Sequence, residues 1–345
     1  MRFATYRAAI AAFLLLLPGV AAAQSVEQFY RSHTMTMIVG LPAGSAYDIY
    51  SRAIARHLNG HIPGNPTIIV QNMPGAGSLT SINHLYNQAA KDGSVIATFI
   101  RGLPLQPLLD KQGIRFEAQK LNWIGSPSTE VSTLVSWATG KFKTIQDAMA
   151  NQMVVGGSSP GADNIVFPAV MNGVLHTKFK IVMGYQGAGP ALLAMESGEV
   201  DGTSASWTNI AVGHADWLRD HKINVLVQLS TEKRQDIPAP LVTDLAGNAA
   251  DKQVMALFFA RNVLGYPFAA PPGIPADRLA ALRDAFDATM RDPDFLAEAK
   301  KEKLEIHPSS GAALAKLVQE IYATPQPVIE RARALIAEGG GEGKK

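Results

Sequence analysis

The chain has 345 residues, 47% of them hydrophobic and 17% charged, with 31 Lys+Arg against 29 Asp+Glu and no cysteine. That length predicts about two domains with an ordinary apolar core and no disulfide framework. Arg2 and Arg7 fall in a leader-like segment; without them 29 cations face 29 anions, a balance that excludes nucleic acid or an anionic membrane as partner.

The leader comes first. Arg2 and Arg7 precede an apolar core from Ala8 to Val20, and Ala21-Ala22-Ala23 offers an A-x-A cleavage site before Gln24. The apolar run is shorter than the roughly 20 residues that a spanning helix needs, and no later run reads as a span. The expectation is an exported, soluble protein cleaved near Ala23-Gln24. With no lipobox cysteine to tether it, it belongs in a Gram-negative periplasm.

Four strand–Gly loop–helix units follow. "MTMIVG" (35–40) leads into "LPAGSAYD" and a helix with Ile49, Ala53, Ile54 and Leu58 on one face. "TIIVQN" leads into "MPGAGS" and a helix around Ile82, Leu85 and Tyr86. "QMVVGG" (152–157) leads into "SSPGADN", and "FKIVMG" (179–184) into "YQGAGP". "SVIATFI" (94–100), "STLVSW" (132–137) and "INVLVQLS" (223–230) complete the strand set, and the C-terminal part reads as helical. Leu279, Leu282, Phe286 and Met290 share one face there, as do Leu314, Leu317, Val318, Ile321 and Tyr322. The tail from 337 to 345 is too rich in glycine and charge to build a core. Alternating strands and helices predict α/β layers with mainly parallel sheets.

In such sheets ligands sit at the carboxyl ends of strands, where glycines admit a ligand to the backbone and helix N-termini offer free N–H groups. These loops hold few cations. Their polar groups are Ser45, Ser78, Ser158, Ser159, Asn164, Tyr185 and Gln186, chemistry that suits a carboxylate held by neutral hydrogen bonds. Any one loop alone reads better as a tight turn; the four together favour a binding cleft. Ligand contacts are expected from Pro42, Gly44, Ser45, Tyr47 and Asp48; from Gly75, Ala76, Gly77 and Ser78; and from Arg101. The later loops would add Ser158, Ser159, Gly161, Ala162, Asn164, Tyr185, Gln186, Gly187, Ser206 and Trp207. Asp48 would organise its loop or cap a helix rather than face an anion. Trp207 reads equally as cleft wall or as core. Ala205, where an acid could have met a ligand ammonium, favours a plain carboxylate over an amino acid.

Three enzymatic or metal readings compete. A dinucleotide site needs G-x-G-x-x-G, but Gly75-Ala76-Gly77-Ser78-Leu79-Thr80 ends in threonine, and no ribose-binding acid closes the next strand. Arg101 at that place leaves an NADP variant open, disfavoured in an exported chain. Gly157-Ser158-Ser159-Pro160-Gly161 spells G-x-S-x-G, with Asp201, His214, Asp216 and His221 downstream, so an exported serine hydrolase is the alternative function. Pro160 weakens it, because the oxyanion hole needs the N–H that proline lacks. His57 and His61 share a helix face without an intervening glutamate, which reads as a helix end with solvated imidazoles rather than a metal site.

The motifs together resemble those of the tripartite tricarboxylate transporter receptors, the TctC/Bug family of periplasmic solute-binding proteins, over nearly the whole mature chain. Pro42, Gly44, Asp48 and Arg52 resemble the family's first loop, and Asn72, Pro74, Gly75, Ala76 and Gly77 its second. Asp92-Gly93 matches a turn, Tyr185, Gly187, Pro190, Ala191 and Leu192 a later loop, and Gly198, Val200 and Asp201 a closing turn. Two positions depart: no histidine follows the third loop, and Ala205 stands where many members carry aspartate. "NWIGS" (122–126) suggests a divergent branch. The resemblance implies a two-lobed type II periplasmic binding fold, with 24–127 plus 247–345 in one lobe and 128–246 in the other. It implies a small carboxylate held between the lobes, no enzyme activity and no cofactor or metal. It further implies delivery to a membrane permease of one large and one small subunit, by a receptor expected to be a monomer.

Overall fold

A computed structural model of the chain describes residues 24–158 and 161–339. The expected leader, Ser159 with Pro160, and the last six residues lie outside the described residues. The helix Gln326–Gly339 takes in the first three positions of the segment expected to be a loose tail.

Two sheets carry the fold. The first has six strands in the order β11-β4-β10-β3-β1-β2, and the second five in the order β7-β6-β8-β5-β9. Their ranges are β1 Met35–Val39, β2 Ile68–Asn72, β3 Val95–Thr98, β4 Asn122–Ser126, β5 Ser132–Trp137 and β6 Met153–Gly157. The rest are β7 Phe179–Met183, β8 Gly202–Ser206, β9 Ile223–Leu229, β10 Phe268–Ala270 and β11 Ser309–Ser310. β1 to β4 share one direction in the first sheet, and β6 to β9 share one in the second, so each sheet is mainly parallel.

The reversed strands have a topological cause. β5 is the first strand after the chain crosses from sheet to sheet, and β10 is the first after it returns. A chain that crosses at the carboxyl ends of the parallel strands must enter the next sheet from that end and run the other way. The registers agree: Ser132, which opens β5, pairs with Ser206, which closes β8, and Phe268, which opens β10, pairs with Thr98, which closes β3. Both crossings and the carboxyl ends of β1, β3, β6 and β8 therefore meet in one region.

Alternation along the strands places the cores. Met35 and Met37 of β1 enter one apolar cluster with Leu58, Phe286 and Phe295, while Ile38 enters another. In β5, Leu134 and Val135 likewise face opposite clusters. Each sheet is thus covered on both faces, as a mainly parallel sheet must be. The largest cluster runs from Phe99 and Leu103 near the first sheet to Val155 and Phe167 near the second, joined by Phe258 and Phe259 of the helix Ala249–Leu264. Phe167 meets Phe259 at a centroid distance of 4.8 Å. The 326–339 helix lies along the helix Asp163–Leu175, where Gly173 has no room for a Cβ against Leu335.

Strand β8 reads "GTSAS" and carries no apolar run, yet it sits centrally between β6 and β5. A Cβ at Gly202 would collide with the Val135 carbonyl, so a small residue is what the packing there requires. His57 and His61 correct the expectation of solvated imidazoles. Their Nε2 atoms lie 2.6 Å from Glu298 and 2.7 Å from Asp292, tying the helix Ala46–His61 to the region around the helix Pro293–Lys301.

Candidate functional site

A cavity of about 330 Å³ opens where the two sheets meet. The first sheet contributes Ala46 and Tyr47 after β1, Ile100 and Arg101 after β3, and Tyr266 ahead of β10. The second contributes Ser132 at the start of β5, Ser158 after β6, and Ala162, Asp163 and Asn164 at the next helix start. Ala188 follows β7, and Ser204, Ala205, Ser206 and Asn209 lie around the end of β8.

Three helix N-termini converge on it. The helix Ala46–His61 begins after Ser45, whose hydroxyl accepts the Asp48 N–H. The helices Asp163–Leu175 and Ala188–Glu196 begin after Ala162 and Gly187, neither of which makes a side-chain cap. Gly187 adopts φ 113°, a conformation that favours glycine. First-turn N–H groups left open to the cavity, together with three positive helix ends, make an environment for an anion.

Charge is concentrated at one place. Arg101 Nε and Nη2 both donate to Asp163 Oδ2, at 3.1 and 2.6 Å, and Arg261 Nη1 donates to Asp163 Oδ1 at 3.3 Å. Glu130 Oε2 stands 4.0 Å from Arg101 Nη1, and Glu130 Oε1 accepts the Tyr266 hydroxyl at 2.9 Å. Burial alone would raise the Asp163 carboxyl, but the two guanidinium groups outweigh it and hold it below its ordinary value. Burial does raise Glu130, against the pull of Arg101 and Tyr266. Tyr47 accepts the Arg101 backbone N–H at 3.1 Å and donates to the Gly265 carbonyl at 3.4 Å. Its phenol is pushed up to about 12, chiefly by burial. Arg101 and Asp163 are the only charged side chains that line the cavity among the described residues.

Of the residues singled out from sequence, Tyr47, Arg101, Ser158, Ala162, Asn164 and Ser206 come together on this cavity. Ser159 lies outside the described residues. The others stand apart from the lining. Asp48 is buried and accepts from the Gly44 N–H at 2.8 Å, from Arg52 Nε at 3.0 Å and from Asn72 Nδ2 at 2.9 Å. Asn72 also donates to the Leu41 carbonyl, so Asp48 fastens the loop of Pro42, Gly44 and Ser45 to the end of β2. Burial would raise the Asp48 carboxyl; hydrogen bonds from Arg52, Gly44 and Asn72 overcome it and lower it. Ser78 turns inward, donating to the Gly40 carbonyl at 2.9 Å and accepting the Ile100 N–H at 3.3 Å. Gly75 and Gly77 share its loop, and Ala76 borders a separate depression with Asn83, His84 and Arg115. Tyr185 donates to Glu199 at 2.7 Å, Gln186 bends back to the Gly184 carbonyl, and Gly161 is exposed. Trp207 is buried in the cluster with Val131 and Trp217.

Sequence reasoning passed over Asp163, Ser132, Ser204, Asn209 and Tyr266. Asp163 lies inside the quoted "SSPGADN", where an acid at a helix start reads as complementing the helix dipole. Tyr266, directly after Gly265, had a signal in its place ahead of the returning strand. The hydrolase partners are engaged elsewhere: Asp201 accepts the Val154 N–H, and His214 stacks on Trp217 at 3.9 Å. Among the described residues no group of three or more His, Cys, Asp or Glu could hold a metal ion, and no helix is long and apolar enough to cross a membrane.

Comparison with known proteins gives three findings. The sequence matches the family model described as tripartite tricarboxylate transporter family receptor over residues 51–334. No curated protein matches it. Several solved structures share the fold. A TctC solute-binding protein from Polaromonas superposes with a TM-score of 0.68 at 18% identity, covering 88% of this chain and 99% of that one. MatC from Rhodopseudomonas palustris with bound malate gives 0.60 at 20% identity, over 88% and 98%. An R. palustris protein with adipate gives 0.61 at 16%, over 87% and 97%.

Proposed function

Because this chain belongs to the tripartite tricarboxylate transporter receptor family, we propose that it captures a small carboxylate in the cavity between its two sheets and passes it to a membrane permease of one large and one small subunit. Receptors of this family bind their substrates and do not transform them. The observation that carries the proposal is the convergence of three helix N-termini on a cavity whose one cation among the described residues is Arg101. The similar folds that hold malate and adipate support a carboxylate ligand here.

The proposed lobes are 24–127 with 247–345, and 128–246, closing about the two crossings. The 249–264 helix returns the chain from β9 toward β10 and packs against the 163–175 helix, so it is the element that closure would load. The proposed location is the periplasm, with the mature chain starting at Gln24.

A carboxylate panel scored by thermal shift tests the binding. A ligand at a hundred times its Kd stabilises by about 2.7 kcal/mol through mass action. At least one carboxylate should raise the Tm in a saturable way and be recovered chemically unchanged; ligand turnover, or no response to any carboxylate, would sink the proposal. Small-angle scattering should show the radius of gyration fall when that ligand saturates the protein.

A further inference from the structure

Resting on the carboxylate reading above, we infer that the cavity selects a monocarboxylate bearing hydroxyl groups, because Asp163 already occupies, on Arg101, the place that a second ligand carboxylate would need. Arg101 is the one cation lining the cavity among the described residues, and two of its N–H donors are committed to Asp163 Oδ2. Arg261 gives no substitute. It does not line the cavity, its Nη1 faces Asp163 Oδ1, and its Nε is buried without a hydrogen-bond partner among the described residues. Behind this pair stands Glu130, its Oε2 4.0 Å from Arg101 Nη1 and without a hydrogen-bond partner among the described residues. Two guanidinium groups therefore face two carboxyl groups before any ligand arrives.

One added carboxylate can be met by the helix ends and by the remaining donors of Arg101. A second would find no further cation among the described residues of the lining and would meet Asp163 as a like charge, and an unpaired charge taken out of water is strongly disfavoured. A ligand ammonium fares no better, since Asp163 already holds two cations and Arg101 would repel a third. Among the described residues the rest of the lining is uncharged, with alanines and Ile100 beside serine, asparagine and tyrosine groups that can hydrogen-bond. Ser132, Ser204, Ser206 and Asn209 stand on the second sheet's side, and the Ser204 hydroxyl is buried there without a partner among the described residues. An unpartnered buried hydroxyl is costly unless a ligand satisfies it, and a ligand hydroxyl can both donate to it and accept from it.

The test uses mature protein and matched acids that differ by one carboxylate: glycerate against tartronate, gluconate against glucarate, and hexanoate against adipate. Calorimetry should show the hydroxylated monoacids binding roughly tenfold or more tighter than their diacid partners, and tighter than hexanoate. Asp163→Asn should narrow the monoacid–diacid ratio by about tenfold, and Ser204→Ala should weaken the hydroxylated acids more than it weakens hexanoate. If the diacids bind more tightly to the wild-type protein, or glutamate outcompetes all six, the inference is wrong whatever the variants do. An unchanged ratio in folded Asp163→Asn overturns it as well. Binding of no carboxylate at all would instead overturn the carboxylate reading, and this inference with it. Should Asp163→Asn fail to fold, the wild-type ratios decide alone.

Discussion

The two walls of the cavity are built from different chemistry. The first sheet's wall is aromatic and cationic: Tyr47 and Tyr266 meet edge to face at 4.9 Å, and the Tyr47 hydroxyl holds the backbone of Arg101. The second sheet's wall is made of serine, asparagine and alanine side chains on strand ends and helix starts. Asp163 is the exception, an acid on the neutral wall that reaches across to Arg101. The contrast assigns the walls different work. A rigid charged wall can fix where the anionic end of a ligand lies, while a wall of neutral donors and acceptors can read the remainder of the molecule. An ion pair between the walls also means that parting them exposes two charges together.

Removing the charge on the first wall should have the largest effect. Arg101→Ala deletes the only lining cation among the described residues and strands Asp163 beside Arg261 alone. Breaking one partner of a buried pair costs about 3–5 kcal/mol of stability, and losing a charged hydrogen bond costs a ligand about 1.5–3 kcal/mol. Chemical denaturation should show the first loss, and calorimetry a tenfold or greater rise in Kd for any bound carboxylate. If affinity is unchanged in a folded Arg101→Ala protein, the first wall does not hold the anion.

Behind that wall, Asp48→Ala should come next. It removes the acceptor shared by Gly44, Arg52 and Asn72, and each buried donor left without a partner costs about 1–3 kcal/mol. Stability should fall by about 2–3 kcal/mol, with a smaller rise in Kd because Asp48 acts through the position of Tyr47. Acid should find the same residues. Asp48 and Asp163 both have folded-state pKa values below their unfolded ones. Their contribution is therefore complete above the unfolded value of about 3.9 and is lost as pH falls through the folded values. Wild-type stability measured from pH 5 downward should drop more steeply than that of Asp48→Ala; equal slopes would show that Asp48 is not held by this bracket.

Much of the fold was legible in the sequence because apolar strands alternate with glycine loops and amphipathic helices. The seven strands read there correspond to β1, β2, β3, β5, β6, β7 and β9, and the family resemblance read in the short motifs agrees with the family match. β8 was invisible because close packing at Gly202 selects small residues, which removes the apolar signal. β4 holds Gly125, where a Cβ would strike the Phe286 ring, and the same logic hid it. At the site, loop composition found the residues at strand ends but not the ion pair. Arg101 and Asp163 are 62 positions apart, and only the meeting of the two sheets joins them. The motif residues Asp48, Arg52 and Asn72 stand out in the sequence because they brace a loop, a role that leaves the same trace as ligand contact.

On the neutral wall single changes should be mild. Ser158 donates to Asn164 Oδ1 at 2.9 Å through its hydroxyl, and its backbone N–H reaches the same atom at 3.1 Å. Ser158→Ala keeps the second bond and loses the first. Affinity should fall by about 0.5–1.5 kcal/mol, the worth of one neutral hydrogen bond, read by calorimetry as a Kd rise of no more than about tenfold. A loss as large as that of Arg101→Ala would mean that the neutral wall also anchors the ligand, and the contrast between the walls would fail.

The smallest effect on binding is expected at Gly77, where composition and structure point in different directions. In the sequence, the 73–78 loop looks like the anion-holding element, with glycines ahead of a helix. In the structure Ser78 spends its hydroxyl on Gly40 and Ile100, and no residue of the loop lines the cavity. Gly77 has φ 61°, and a Cβ there would meet nothing within 4 Å. Gly77→Val should therefore cost stability through its left-handed backbone, by roughly 1–3 kcal/mol, without any steric clash. If the loop is only a brace, the folded variant binds carboxylates with unchanged Kd. If Kd rises by tenfold or more while the Tm shifts only as the backbone cost requires, the ligand must touch this loop. The closing motion would then have to carry the 73–78 loop into the cavity, and the first wall would hold its anion by backbone N–H groups as well as by Arg101.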